Sequence, residues 1–244
     1  ELLDAFKGND EAVTKIASLK KTLDEIRTRA QQNRGMPSVG YKEMKEIDTV
    51  ISFLRSMIET SPKKDWLLQN VVVIGQYLGN NSGLWRDKCM ADNLLWIKEH
   101  NPNSKLVIWA HNGHIMKTNQ MMGYHLAKKL GGDYATFGFT FYDGNFTATG
   151  NKGLTSYDAQ QGYPGTLEYL LEQVKEPIFI LDLKKIKTDK NKDTEWLTQR
   201  LAYRRVGAMG GIPNEFSEGI ISDDFDYLIF IKSSTSSVLL PNPQ

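Results

Sequence analysis

Two of the four histidines, His111 and His114, stand three residues apart where an apolar run breaks off, in KLVIWAHNGHIMK (residues 105–117). Imidazoles so placed can carry a proton near neutral pH or hold a carbonyl or hydroxyl group. Gly113 lies between them without a side chain, so the backbone can turn sharply and both rings can face one cleft, with Asn112 as a third hydrogen-bonding side chain. The plain alternative is a polar residue satisfied at a strand end, since His-x-x-His alone is a weak pattern. Zinc fits less well. Helical zinc sites space their histidines by four with a Glu between, catalytic zinc takes three protein ligands, and no third ligand stands nearby. Neither a metal nor another cofactor is expected.

Other chemistry is sparse. No Gly-x-Ser-x-Gly occurs, so the serine elbow of common esterases is absent, and Cys89 falls among Met90, Leu94 and Ile97 on a face expected to bury an inert thiol. Hydrolysis by this chain would therefore use an activated water. In WRDKCMADNLLWIKEH, Arg86 and Asn93 lie two turns apart on nearly one helical face, with Met90 between them. Arg86 and Asp87 also read as an ordinary helix start, Asp87 compensating the dipole. Trp85, Trp109, Tyr124, Phe139 and Phe141 could line a pocket, although aromatics at such spacings mostly belong to cores. His100 and His125 are expected at the surface or its boundary.

A strand end can serve as a site only if other elements hold it rigid. Residues 9–34 carry Val13, Ile16, Leu19, Leu23 and Ile26 at helical spacing, and the pattern resumes at Met44, Ile47, Ile51, Leu54 and Ile58. It stops at Thr60-Ser61-Pro62, where Ser61 is expected to cap and Pro62 to open a third helix. The first 62 residues thus predict a helical hairpin lobe whose stripes are packing surface. Helices are expected over 63–78 and 86–100, and KLVIWA reads as a strand buried on both faces of a parallel sheet. Beyond it the sequence predicts a helix over 119–130, a β-hairpin turning at Asp143-Gly144, a helix over 166–174, the strand PIFILDL, a helix over 194–201 and the strand FDYLIFI. KKIKTDKNKDTE is expected to be a solvated loop. The alternation predicts an α/β fold: a three-layer α/β/α core over residues 63–244, with a mostly parallel sheet and one antiparallel hairpin, plus the lobe of residues 1–62 as an insertion. Ligands of such sheets bind at the carboxyl ends of the strands, where the histidines stand.

Thirty basic and 29 acidic side chains leave a net charge of +1, so no uniform field recruits nucleic acid or an anionic membrane. A single cysteine excludes an internal disulfide and a Cys-rich zinc module and leaves the compartment open. No run reaches the length of a membrane span. The opening ELLDAFKGND lacks an initiator Met and a signal-peptide core, and the chain is expected to be a piece of a longer protein.

RDKCMADN, then VIWAHNGHI, then MGYHLAKKLGGDYATFGFTFYDGNFTA together resemble the erythromycin esterase family, over about Leu84 to Ala148, with looser similarity in EPIFILDL and FDYLIFI. The resemblance implies an α/β/α core with a helical lobe, a cleft between them, and metal-independent hydrolysis of an ester or lactone, in the best-known members the macrolactone of erythromycin. The implied partner is thus a small-molecule substrate. The resemblance also implies a histidine that activates water within an N-terminal Gly-Glu-x-x-His-Gly segment. No such segment occurs here, so that base, and with it the first part of the core, is expected to lie outside these residues. His111 and His114 match the family's cleft histidines, and Arg86 matches the arginine of Arg-Asp-x-x-Met-Ala, which is implied to hold the substrate or the developing oxyanion. A fixed guanidinium can do this in a dry cleft. Asn93, Asn112 and Trp85 join them as supporting or substrate-binding residues. Two alternatives stay open: a binding module with the same cleft, and a metal-dependent hydrolase whose further ligands come from upstream.

Overall fold

A computed structural model describes residues 2–33, 38–79, 82–151, 153–189 and 191–238. The chain divides into two compact units, Glu1–Cys89 and Met90–Gln244.

The first unit is helical: α1 (Leu2–Ala5), α2 (Asp10–Gln32), α3 (Tyr41–Ile58) and α4 (Lys64–Leu78). The Asn9 side chain accepts the Ala12 N–H at 2.9 Å and starts α2, as Asn does at a cap. Ile16, Leu19 and Ile26 of α2 then meet Ile47, Leu54 and Ile58 of α3 in one core. Leu67 and Val71 bring α4 into the same core, so the helical unit runs on beyond the expected boundary at residue 62. Arg29 pairs with Glu43 at 2.8 Å, and Glu43 also accepts the Gly40 N–H at the start of α3. That backbone bond, with Arg29 adding to it, holds the Glu43 carboxyl below its usual range. Ser61 and Pro62 do not open α4. The Ser61 hydroxyl accepts the Lys63 N–H in a turn, and the helix begins at Lys64. A fifth helix, α5, runs over Gly83–Glu99.

The second unit holds the short α6 (Asn112–Ile115), α7 (Met122–Leu130), β1 (Phe137–Gly150), β2 (Gly153–Asp158), α8 (Leu167–Glu172), β3 (Ile178–Asp182), α9 (Leu183–Asp189), β4 (Leu201–Arg204), β5 (Phe216–Gly219), α10 (Ile221–Asp224) and β6 (Tyr227–Ser234). Four strands form one sheet in the order β2-β1-β6-β3, and β4-β5 form a second, small one. Only the β1–β6 ladder is parallel; β1–β2 and β3–β6 are antiparallel, so the sheet is mixed rather than mostly parallel. The hairpin turns after Gly150, not at Asp143-Gly144. Gly144 lies inside β1 with φ +103°, and a Cβ there would meet the Ser234 carbonyl oxygen at 2.1 Å, so glycine lets the strand bend as it leaves β6 for β2.

Alternate residues give the sheet two unlike faces. Leu228 and Phe230 of β6, with Phe179 and Leu181 of β3, pack against Leu167 and Leu171 of α8, Leu183 and Ile186 of α9, and Ile221 of α10. The opposite face carries Phe137, Phe139, Ile178 and Ile180, and Ile178 and Ile180 are 64% and 60% exposed. The expected charged loop is in part α9, because Leu183 and Ile186 fall three apart and dock on this core. The expected helix over 194–201 is a 3₁₀ turn (Glu195–Thr198) that gives way to β4.

The expected strand KLVIWA joins no ladder among the described residues. Ile108 and Ala110 pack with Leu94, Leu95, Met122 and Leu126, while Val107 is 94% and Trp109 88% exposed. One side of this segment is core and the other is open, whereas a central strand needs partners on both edges.

Candidate functional site

The segment that carries the histidines ends in α6, a single helical turn started by His111 itself. His111 Nδ1 accepts the Gly113 N–H at 3.1 Å, which leaves the ring proton on Nε2, and Nε2 donates to the Val206 carbonyl at 2.5 Å. Both ring nitrogens are therefore engaged by main chain. Asn112 is spent in the same way: its amide donates to the Phe139 carbonyl at 2.6 Å and accepts the Phe139 N–H at 3.1 Å. These bonds fasten the turn to the free edge of β1 and to the segment after β4. The Trp109 ring meets Phe139 edge-on at 5.8 Å between centroids. His114, half-buried, donates its backbone N–H to the His111 carbonyl at 2.9 Å.

The chain after the turn is anchored as firmly. Asp224 accepts from the Thr118 and Tyr203 hydroxyls and from Arg205 at 3.1 Å, and the Lys117 N–H donates to the Asp224 carbonyl at 3.0 Å. Burial and the bond to Asp224 push the Tyr203 phenol far up, so it stays a neutral donor. Lys117 pairs with Asp226 at 2.5 Å. Asn119 and Gln120 both take positive φ, +60° and +55°, directly behind the anchor.

A second polar cluster lies around Arg204, two residues before Val206, and the sequence reading missed it. Arg204 is sealed: it pairs with Glu215, donates to the carbonyls of Phe141 (2.9 Å), Tyr142 (3.0 Å) and Gln160 (2.5 Å), and lies 4.3 Å and 4.8 Å from the Phe141 and Phe216 ring centroids. Glu168 is buried beside it and accepts from the Thr140 hydroxyl at 2.5 Å and the Arg204 N–H at 2.8 Å. Burial nevertheless lifts the Glu168 carboxyl above its ordinary range. The only warning in the sequence was an arginine inside a short apolar-flanked stretch, LAYRRVG, and spacing does not separate a sealed arginine from an exposed one.

The remaining candidates lie on α5. Arg86 is exposed and Asp87 buried, and the Trp85 indole N–H donates to the Gln76 carbonyl at 3.0 Å. These belong to the first unit, while half-buried Asn93 belongs to the second. Cys89 is buried, His100 exposed and His125 half-buried, as expected. Among the described residues no three His, Cys, Asp or Glu side chains are grouped to hold a metal ion. A hollow of about 610 Å³ along α2 is bordered by none of the candidate residues.

Two solved structures share the fold. One, from Bacillus cereus, has a TM-score of 0.71 at 22% identity and covers 93% of this chain and 64% of its own. The other, described as a succinoglycan biosynthesis protein, has a TM-score of 0.75 at 18% identity and covers 96% of this chain and 60% of its own. Among curated proteins, "Putative hydrolase YbfO" of Bacillus subtilis (strain 168) is 25% identical over 169 residues, 64% of this chain and 36% of that protein. "Erythromycin esterase type II" of Escherichia coli is 37% identical over 73 residues, 26% of this chain and 17% of that protein. The chain thus spans only part of the length of each. The family model for erythromycin esterase matches residues 3–234, a range that takes in the helical unit, α5, the histidine turn and the sheet: this chain belongs to the erythromycin esterase family.

Proposed function

We propose that this chain is the larger C-terminal part of a hydrolase that cleaves an ester or lactone with an activated water and no metal. The observation that carries the reading is a histidine turn clamped to its surroundings by backbone bonds, within residues that the family model matches. In this reading His114 faces the substrate, and Arg86, exposed on α5, carries the guanidinium chemistry that can meet negative charge on a carbonyl oxygen. Asn93 and Trp85 stand on the same helix as Arg86, while His111 and Asn112 hold the turn. The base that activates the water lies outside these residues. The apolar, uncovered side of the sheet supports this, since a further layer of an α/β core would cover it, as does the 64% and 60% share of the related solved chains.

The test is hydrolysis of a panel of p-nitrophenyl esters and a macrolactone by these 244 residues and by the product of the full reading frame. The full product is expected to turn over at least one of them, and the 244 residues none. Hydrolysis by the 244 residues alone, abolished by His114→Ala, would contradict the external base.

A binding module with the same cleft is the second reading. It is favoured by one observation: the His111 ring and the Asn112 amide are both committed to main chain, which withdraws both from direct chemistry. A full-length product that binds such ligands and hydrolyses none would decide for it.

A further inference from the structure

Between β4 and β5 the chain runs RVGAMGGIPNE, residues 205–215, with no charged side chain between Arg205 and Glu215. This segment is a built object, not a loose connection. The Arg205 N–H donates to the Glu215 carbonyl at 2.7 Å and closes its base above the sealed Arg204–Glu215 pair. The Thr149 N–H donates to the Ala208 carbonyl at 2.8 Å and the Gly210 N–H to the Thr149 carbonyl at 2.9 Å, which clamps the chain on both sides of Met209. Gln160 holds the far limb through the Pro213 carbonyl at 3.1 Å. Only glycine fits at 210, where a Cβ would stand 2.2 Å from the Tyr157 ring.

Held in this way, the segment still presents a large apolar side chain to solvent: Met209 is 59% exposed. Methionine is the adaptable apolar side chain, suited to ligands of varied shape. Its place relative to the histidines is bounded by covalent geometry. Val206 takes the His111 ring at 2.5 Å, and Met209 follows three residues later, so its Cα lies at most about 11 Å from that of Val206. Exposed Trp109 and Phe139, the latter held by Asn112, flank the turn as well.

We propose that His111 is a positioning residue that ties the 206–211 segment beside the site, and that Met209, so placed, selects substrates by gripping their apolar portion. The substrate class is an ester whose acyl part is a hydrocarbon chain of several carbons rather than acetyl. The inference rests on the hydrolase reading of the same turn but can be tested without hydrolysis.

The probes are sodium octanoate and sodium acetate, titrated into protein carrying 13C-methyl methionine and 15N-histidine and followed by NMR. Octanoate is expected to shift the Met209 methyl resonance, and Met209→Lys to weaken octanoate about fivefold or more while acetate changes less than about twofold. The His111 ring is expected to show the Nε2–H tautomer, and His111→Ala to reproduce the loss for octanoate but not for acetate, a split that general loosening would not give. Octanoate binding with equal affinity to wild type and Met209→Lys, octanoate that leaves the Met209 methyl unmoved, or a His111 ring protonated on Nδ1 would each overturn the proposal. Octanoate gripped by Met209 in a full-length protein that hydrolyses no ester would sustain it and sink the hydrolase reading instead.

Discussion

Arg204 donates to three main-chain carbonyls and His111 to that of Val206, two residues beyond Arg204, yet Arg204 is sealed under aromatic rings and His111 stands open to solvent. Around Arg204 the charge is answered at once by Glu215, three carbonyls and two π-faces, so nothing is left to meet a ligand. Around His111 the bonds fix direction without closing the surface. A sealed polar cluster specifies how strands come together, whereas a clamped but open one keeps groups ready for chemistry. Activity and stability should therefore separate between the two.

The sharpest way to break that contrast is Arg204→Ala. Removing one partner of a buried pair leaves Glu215 without its guanidinium and takes a donor from the Phe141 and Gln160 carbonyls, and a loss of about 3–5 kcal/mol in unfolding free energy is expected by denaturant titration. A loss below about 1 kcal/mol would show that water reaches the cluster. Next comes Asn112→Ala, which removes two bonds to Phe139 at a site that water can reach. The expected cost is about 1–2 kcal/mol, with faster amide exchange at Phe139.

The smallest effect is a pH slope. Burial raises the Glu168 carboxyl in the folded protein, so the folded state keeps this proton to higher pH than the unfolded chain. The stability it contributes is then complete below the ordinary value of 4.5 and declines as pH rises from there toward the raised value. Glu168→Gln keeps an acceptor for Thr140 and Arg204 and should flatten that decline, leaving stability at neutral pH equal to wild type or up to about 1 kcal/mol higher. An unchanged slope between pH 4.5 and 7 in urea melts would remove Glu168 from the account.

How much of this was legible depended on whether a residue's neighbours are close in sequence. The stripes of α2 and α3 were readable because helical packing repeats every three or four residues. KLVIWA misled because a continuous apolar run does not say on how many sides it is covered; here one side is core, and Trp109 faces out. The mixed sheet was hidden because strand direction is decided by long-range pairing, as when β6 returns to β1 some ninety residues later. At the site, the histidines stood out by type and spacing. Their clamps did not: Val206 is 95 residues from His111, and Phe139 is 27 from Asn112.

The most direct test of the central claim is the hydrolytic rate of the full-length product carrying His114→Ala, read beside its melting curve. The account predicts a loss of about a hundredfold or more in kcat/KM, with the unfolding free energy within about 1 kcal/mol of wild type. Wild-type turnover in that variant, or a rate lost only in proportion to lost folding, would show that the histidine turn serves architecture alone.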